Sequence, residues 1–163
     1  MSIRSRSGGN VIKCAAQAIG MLIVAHVVVG LLIGKLTGQW ALAVLGATIM
    51  DLDHLVSYSQ HGLLRRPGRL WKALIDPRDP YGDQRGVFHN VFLWAIATAF
   101  LYRTPWGVAF CAGWFSHLVL DAFDASDARL FWPLRWNVRG PIPYGSRAEW
   151  VFTIVMLATF FAL

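Results

Sequence analysis

Charge is what this sequence has least of. Asp, Glu, Lys and Arg make up 15% of its 163 residues, against 56% hydrophobic residues, a balance too apolar for an ordinary soluble domain of this length. Cysteine is almost absent. Cys14 and Cys111 both lie inside apolar runs, where a thiol behaves as a small buried hydrophobe, so neither a disulfide framework nor a redox compartment is implied. No internal repeat is present, and the only low-complexity stretch is the basic, Ser- and Gly-rich start, residues 1–12. Acidic residues are also scarce, nine against fifteen basic ones, for a net charge of +6. The basic residues flank hydrophobic segments, which fits membrane orientation and anionic head groups and argues against a nucleic-acid partner.

What the chain does have is long apolar stretches. Residues 14–34 contain no formally charged side chain, a run able to cross a hydrocarbon core of about 30 Å at about 1.5 Å per residue. Arg4, Arg6 and Lys13 precede it like the basic head of a signal peptide, but the run is too long and lacks a small-residue cleavage site, so it is expected to be retained. The later apolar cores, 40–50, 87–102, 106–120 and 150–163, reach the roughly 20 residues of a span only when extended through a neighbouring polar motif. Helices are therefore predicted over 39–58, 85–102, 105–123 and 146–163. The expected fold class is all-α, a polytopic transmembrane helical bundle of about five spans. It should form a single integral-membrane domain over residues 1–163.

With the amino terminus in the cytoplasm, thirteen of the fifteen Lys and Arg residues fall inside and only Lys35 and Arg103 outside. That is a strong positive-inside signal for the plasma (inner) membrane. It puts a polar site at the cytoplasmic side and Trp40, Tyr102 and Trp106 near the opposite interface, where amphipathic rings are favoured. Two segments should not span. Residues 60–86 read as a basic loop with Pro and Gly turn chemistry and a short interfacial helix about residues 70–75. Residues 124–147, with Phe131, Trp132, Trp136 and three prolines, read as a folded aromatic loop.

The few ionisable residues near the apolar runs are of metal-ligand type. His117 and Asp121 are four apart, so on a helix they differ by about 40° in azimuth and can address one ion. An internal His to Asp hydrogen bond is the structural alternative. Gly113, one turn earlier, permits close helix packing. Asp51, Asp53 and His54 form an acidic cluster read as a helix carboxyl end, where two acids oppose the macrodipole and call for a compensating cation. His89 is read as opening the third helix, with Arg85 one turn before it and able to hydrogen-bond an anionic group. His26 lies within the first apolar run, where an ionisable residue is a functional candidate by default, and Gly30 and Gly34 allow a neighbouring helix to approach it. Its depth requires either that the first helix begin outside the lipid or that the site be recessed. Glu149 stands at the start of the last helix; His61 reads as solvated.

The order of these pieces carries a resemblance. His26, Asp51-Leu52-Asp53-His54, Arg85-Gly86-Val87-Phe88-His89, Gly113-Trp114-Phe115-Ser116-His117-Leu118-Val119-Leu120-Asp121, Phe131-Trp132-Pro133-Leu134 and Glu149 together resemble the YdjM-type family of membrane-bound metal-dependent hydrolases. The resemblance covers nearly the whole chain after the basic start and implies metal-dependent hydrolysis. Its ligand pattern is similar to that of zinc-dependent phospholipases and nucleases that cleave phosphoesters. The chain departs from the family where His-Arg-Gly-x-Thr-His-Ser is usual: here it reads Gln84-Arg85-Gly86-Val87-Phe88-His89-Asn90, and Met50 replaces a proline before Asp51.

Four His and four carboxylates, His26, His54, His89, His117, Asp51, Asp53, Asp121 and Glu149, exceed the needs of one four-coordinate ion. The mixed set suits zinc, with manganese or iron as alternatives. Asp53 or Glu149 could serve as general base and Arg85 could hold an anionic substrate. Two functions are open: a hydrolase of phosphoester or other ester bonds in a lipid-like substrate, or a non-catalytic accessory subunit of a membrane complex. The second would retain metal or use His26 and His117 for haem or another pigment, though no Cys motif for haem attachment is present and the acidic cluster would then have no role. Side-specific cysteine labelling tests the topology: residues 60–86 and 124–147 should react from the cytoplasm and the carboxyl terminus from outside, and a cytoplasmic Leu163 would overturn the odd number of spans.

Overall fold

The computed structural model describes residues 8–75, 86–125, 128–143 and 146–163. Among these residues the regular structure is helical: α1 (Gly8–Thr37), α2 (Trp40–Thr48), a 3-10 turn (Ile49–Asp51), α3 (Leu52–Gln60), α4 (Pro67–Ile75), α5 (Val91–Leu101), α6 (Pro105–Phe123) and α7 (Arg147–Ala162). Extended pairing is confined to two isolated bridges, Asp124 with Ile142 and Ala128 with Val138.

Local chemistry explains most boundaries. α6 starts where Pro105 supplies a preset φ and the Thr104 hydroxyl accepts from the Gly107 N–H, and it covers the stretch expected from the sequence. α7 starts at Ser146, whose side chain accepts from the Glu149 N–H, the first half of a Ser-x-x-Glu capping arrangement. α1 has 30 residues and is about 45 Å long, more than a hydrocarbon core of about 30 Å. The helix thus begins before the apolar run and is longer than a span needs. α4 contains the short helix expected about residues 70–75 and packs alongside α1.

Two expectations are corrected. The third helix, expected over 85–102, begins only at Val91, because Asn90 is extended and its side chain accepts from the N–H groups of Phe92 and Leu93. His89 therefore precedes the helix in a turn, and Arg85 lies outside the described residues. The acidic cluster does not sit at a helix carboxyl end. The second helix is interrupted by the 3-10 turn Ile49–Asp51, so Asp53 falls in the first turn of α3, where the macrodipole favours a negative charge.

α2 and α6 make the most extensive helix contact, with α1 against both, α7 on α1 and α5 on α6. Glycines make this possible. A Cβ at Gly46 would overlap the backbone carbonyl of Phe110, and one at Gly113 would overlap that of Ala43, so α2 and α6 touch backbone to backbone in both directions. Gly30 repeats the device on α1, where a Cβ would come within 3.0 Å of Val44 Cα and Ala47 Cβ. At the polar end Met50, Trp114, Leu118, Ala128 and Leu130 form a core cluster. At the other end Lys35 Nζ donates to the Phe160 carbonyl at 2.7 Å, tying α1 to α7.

The outer surface is strongly apolar, with Ile96, Phe100, Ile154 and Phe161 all exposed. Trp40–Gln60 and Pro105–Phe123 are long and apolar enough to cross a membrane, and Ile23–Thr37 and Val91–Leu101 are shorter apolar helices. Replacing Gly113 by Leu should force α2 and α6 apart and cost at least the about 1–3 kcal/mol of an overpacked core. Gly68→Ala, where a Cβ meets nothing within 4 Å, should be nearly neutral. Thermal unfolding of the purified variants checks the pair, and equal effects would sink the crossing argument.

Candidate metal centre

The glycine crossing sets the position of His117, which is fully buried. Its Nδ1 lies 2.8 Å from the Ala47 carbonyl oxygen, which can only accept, so Nδ1 carries a proton and in the neutral ring Nε2 presents a lone pair. His89 is fixed in the same way from another direction. Its Nδ1 is 3.1 Å from Asp53 Oδ2, a carboxylate oxygen that also accepts from the Phe88 N–H at 2.8 Å. The Phe88 carbonyl accepts from Trp114 Nε1 at 2.9 Å, and the Val91 N–H donates to Leu130 O at 2.9 Å. The non-helical turn that carries His89 is therefore held by hydrogen bonds on both sides.

The two Nε2 atoms face each other at 3.1 Å. Asp121 Oδ2 lies 3.2 Å from His89 Nε2 and 3.5 Å from His117 Nε2. With both Nδ1 atoms donating elsewhere, three lone-pair-bearing atoms converge on one small volume, an arrangement that repels itself unless a proton or a metal ion lies among them. Ligands about 2.0–2.1 Å from a tetrahedral zinc are about 3.3–3.4 Å apart, close to these spacings. The carboxylate behind His89 and the carbonyl behind His117 are the outer partners that fix a metal-binding imidazole's tautomer. The residues present therefore fit a divalent metal.

His26 completes this inner group. Its ring stacks on that of His117, centroids 4.0 Å apart and planes 20° from parallel, and its Nε2 is 3.9 Å from Asp121 Oδ1. His26, His117 and Asp121, all buried, have ligand atoms close enough to share an ion. A second such group, Asp51, His54 and His89, adjoins it. Asp51 Oδ1 is 3.8 Å from His54 Nε2 and 3.9 Å from His117 Nε2, so His89 and Asp51 link the two. The side chains of His54 and Asp51 are 29% and 31% exposed, which gives the outer group an open side.

Six of the residues singled out from the sequence thus come together: His26, Asp51, His54, His89, His117 and Asp121. Asp53 stands behind His89 and belongs to neither converging group. Glu149 is buried at the start of α7 and lines a cavity with Ala25 and Leu120, and it too is in neither group. His61 is exposed. Sequence reasoning missed the Ala47 carbonyl and the Trp114 indole, which carry no ligand signal, and Asn90, whose side chain caps α5 and donates to Trp132 O at 2.6 Å.

A family model described as YdjM inner membrane protein matches residues 18–163, which includes every residue of both groups. No curated protein and no solved structure matches the chain.

Asp53→Ala removes the acceptor behind His89 and should weaken metal binding about 10- to 100-fold without abolishing it, whereas His117→Ala should abolish it. Chelator competition on the purified proteins reads both. Equal, complete loss in the two variants would make Asp53 a direct ligand instead.

Proposed function

We propose that this chain, which belongs to the YdjM inner membrane protein family, is a membrane-embedded, metal-dependent hydrolase. It acts at the cytoplasmic interface on a phosphoester or other ester bond of a lipid-like substrate. The observation that carries the reading is the convergence of His89 Nε2, His117 Nε2 and Asp121 Oδ2 within 3.1–3.5 Å. Three buried acceptors facing one another suit a cation held among them, and the outer acceptors behind both imidazoles favour a metal ion over a shared proton.

About five spans accommodate the chain: α1, the bent α2–α3 rod, α5, α6 and α7. α5 alone, at 11 residues, covers about 16 Å, so residues 86–90 continue it into the polar end of the bundle as irregular backbone. Irregular backbone at that depth is tolerated where protein groups satisfy it, as the side chains of Asp53 and Trp114 do here. The amino terminus is cytoplasmic by the excess of basic residues in residues 60–86 and 124–147.

The ligands are His26, His117 and Asp121 on the buried side and Asp51, His54 and His89 on the open side, and one or two ions are held between them. Zinc suits the mixed imidazole and carboxylate donors, with manganese or iron as alternatives. A divalent ion bound there supplies Lewis-acid polarisation of the scissile group and stabilises developing negative charge. The protein's own groups do the rest. Asp53 and the Ala47 carbonyl hold His89 and His117 in the tautomer that presents Nε2. Burial of the inner group excludes bulk water from one side, and the partly exposed Asp51 and His54 exchange a proton with the site. Asp53, already engaged by His89 and the Phe88 N–H, is a positioning residue in this scheme and not the base. Arg85, outside the described residues, is assigned the anionic part of the substrate from its chemistry alone.

The accessory-subunit reading with a haem held between His26 and His117 is disfavoured by the stacking contact of those two rings, which leaves no room for a macrocycle. Elemental analysis of the purified protein should find the divalent metal, and stripping it should abolish hydrolysis on a panel of phosphomonoesters, phosphodiesters, phospholipids and carboxyl esters, with re-addition restoring it. Asp121→Asn should lower turnover about 100-fold or more while preserving the fold, the scale expected when one electrostatic stabiliser is lost. A metal-loaded parent no more active than this variant on every panel member would favour the accessory-subunit reading.

A further inference from the structure

Beside the inner ligands, between α1, α6, α7 and the loop after α6, lies a cavity of about 160 Å³. Ala25, Leu120, Phe123, Ile142 and Phe152 give it an aliphatic and aromatic wall, to which Asp124 and Glu149 also contribute. Neither carboxylate belongs to a converging ligand group, and the hydrolytic scheme above uses neither.

Three features connect this cavity to the site. Ala25 immediately precedes His26 and Leu120 immediately precedes Asp121, so the same turns of α1 and α6 carry both the cavity wall and the inner ligands. The wall is preformed. The Ile142 N–H donates to Phe123 O at 3.0 Å, the Ala125 N–H to Ile142 O at 2.8 Å and the Gly140 N–H to Asp124 O at 2.7 Å, and a Cβ at Gly140 would overlap the Phe123 backbone. The loop is therefore locked onto the end of α6 and does not close or open the cavity. Finally, the polarity changes between the two places. The cavity wall is almost wholly apolar and suits a hydrocarbon chain, whereas a cation among His26, His117 and Asp121 attracts an anionic head group.

We propose that the cavity is the hydrocarbon-chain subsite of the hydrolytic site. The substrate is then an anionic amphiphile whose head lies at the His26–Asp121 side while the first part of its chain packs against Ala25, Leu120 and Phe152. An apolar cavity of about 150 Å³ holds a benzene molecule, so the subsite takes about six carbons. The inference rests on the hydrolase reading for the position of the head group and on the cavity itself for the chain.

A series of n-alkylphosphonates, non-hydrolysable and bearing the same anionic head, tests it on the metal-loaded protein in nanodiscs of zwitterionic phospholipid, with competition read against a hexylphosphonate carrying a diazirine near its chain end. Crosslinks should be saturable and map to Leu120, Phe123 or Phe152. Competitor affinity should rise about fourfold per methylene and level off near six carbons. Ala25→Leu, which fills the cavity, should flatten the chain-length dependence without changing the metal bound per chain. Ile142→Trp fills it from the loop wall and should do the same if Ala25→Leu fails to fold. Affinity that climbs without a plateau in parent and filled variants alike, or crosslinks spread over the outward-facing Ile154 and Phe161, would mean simple partition into lipid and overturn the subsite. Saturable cavity crosslinks that survive complete removal of metal would overturn the head-group placement, and with it the hydrolase reading, while leaving chain binding in the cavity supported.

Discussion

The backbone contact between α2 and α6 is the constraint on which the rest of this structure depends. Gly46 against the Phe110 carbonyl and Gly113 against the Ala43 carbonyl leave no layer of side chains between the helices. At that distance a side chain on α6 can reach the main chain of α2, and His117 does so through the Ala47 carbonyl. The acceptor is available because Ala47 lies in the last turn of α2, whose carbonyls lack a full set of helical donors. One packing device thus settles the position, the tautomer and the direction of the central imidazole. Apolar contacts in lipid provide little driving force between helices, so small residues that permit close approach carry much of the association. Here those same residues build the site.

The 3-10 turn Ile49–Asp51 has the complementary role. Had the helix run on regularly from Trp40 to Gln60, Asp53 would sit in its interior, away from the favourable amino-terminal turn. The break restarts the helix as α3 and puts Asp53 in its first turn, where its charge is favoured and its Oδ2 can take both the Phe88 N–H and His89 Nδ1. A short 3-10 stretch within a long helix often marks a functional position, and this one ends at Asp51, directly before the turn of α3 that carries Asp53 and His54. At this end of the bundle the Asp53 carboxylate and the Ala47 carbonyl stand behind His89 and His117, while Asp121 Oδ2 and the two imidazole Nε2 atoms face one another.

Much of this was legible in the sequence, for reasons that differ by element. Thr104 and Pro105 announce the start of α6, and the His117 and Asp121 spacing places both on one face of it, as the structure has them. The all-helical class followed from apolar runs, and the order of His26, the Asp51 cluster, His89 and His117 carried the family. The start of α5 differs from the expected 85 although its signal is present: Asn90 directly before an apolar run is a capping residue, whereas the expected span extends through the polar motif at Arg85 and His89 to reach a membrane-crossing length. The Ser146 and Glu149 pair is a similar case, a capping spacing overlooked because the glutamate was counted as a ligand. The turn at Ile49 had no signal, since no Pro or Gly stands between Ala47 and Asp51. It follows from tertiary packing of Met50 onto Trp114 and Leu118, which no local pattern records.

That distinction bears on the departures from the family motif. Where a serine is usual after His89, Asn90 accepts from the N–H groups of Phe92 and Leu93, the task a serine performs at the same helix start, and asparagine is an equally good cap. Where a threonine is usual before His89, the work at position 88 is done by the backbone: its N–H binds Asp53 and its carbonyl binds Trp114, while the Phe88 side chain is exposed. Met50, in place of proline, fills the core beneath the 3-10 turn, which forms without it. Three of the four substitutions therefore leave the geometry of His89 intact, because that geometry is held by main-chain atoms and a capping amide instead of by the hydroxyls. The remaining change, a glutamine for a histidine at position 84, alters the chemistry of the chain before the Gly86 turn without removing any of the six side chains that converge.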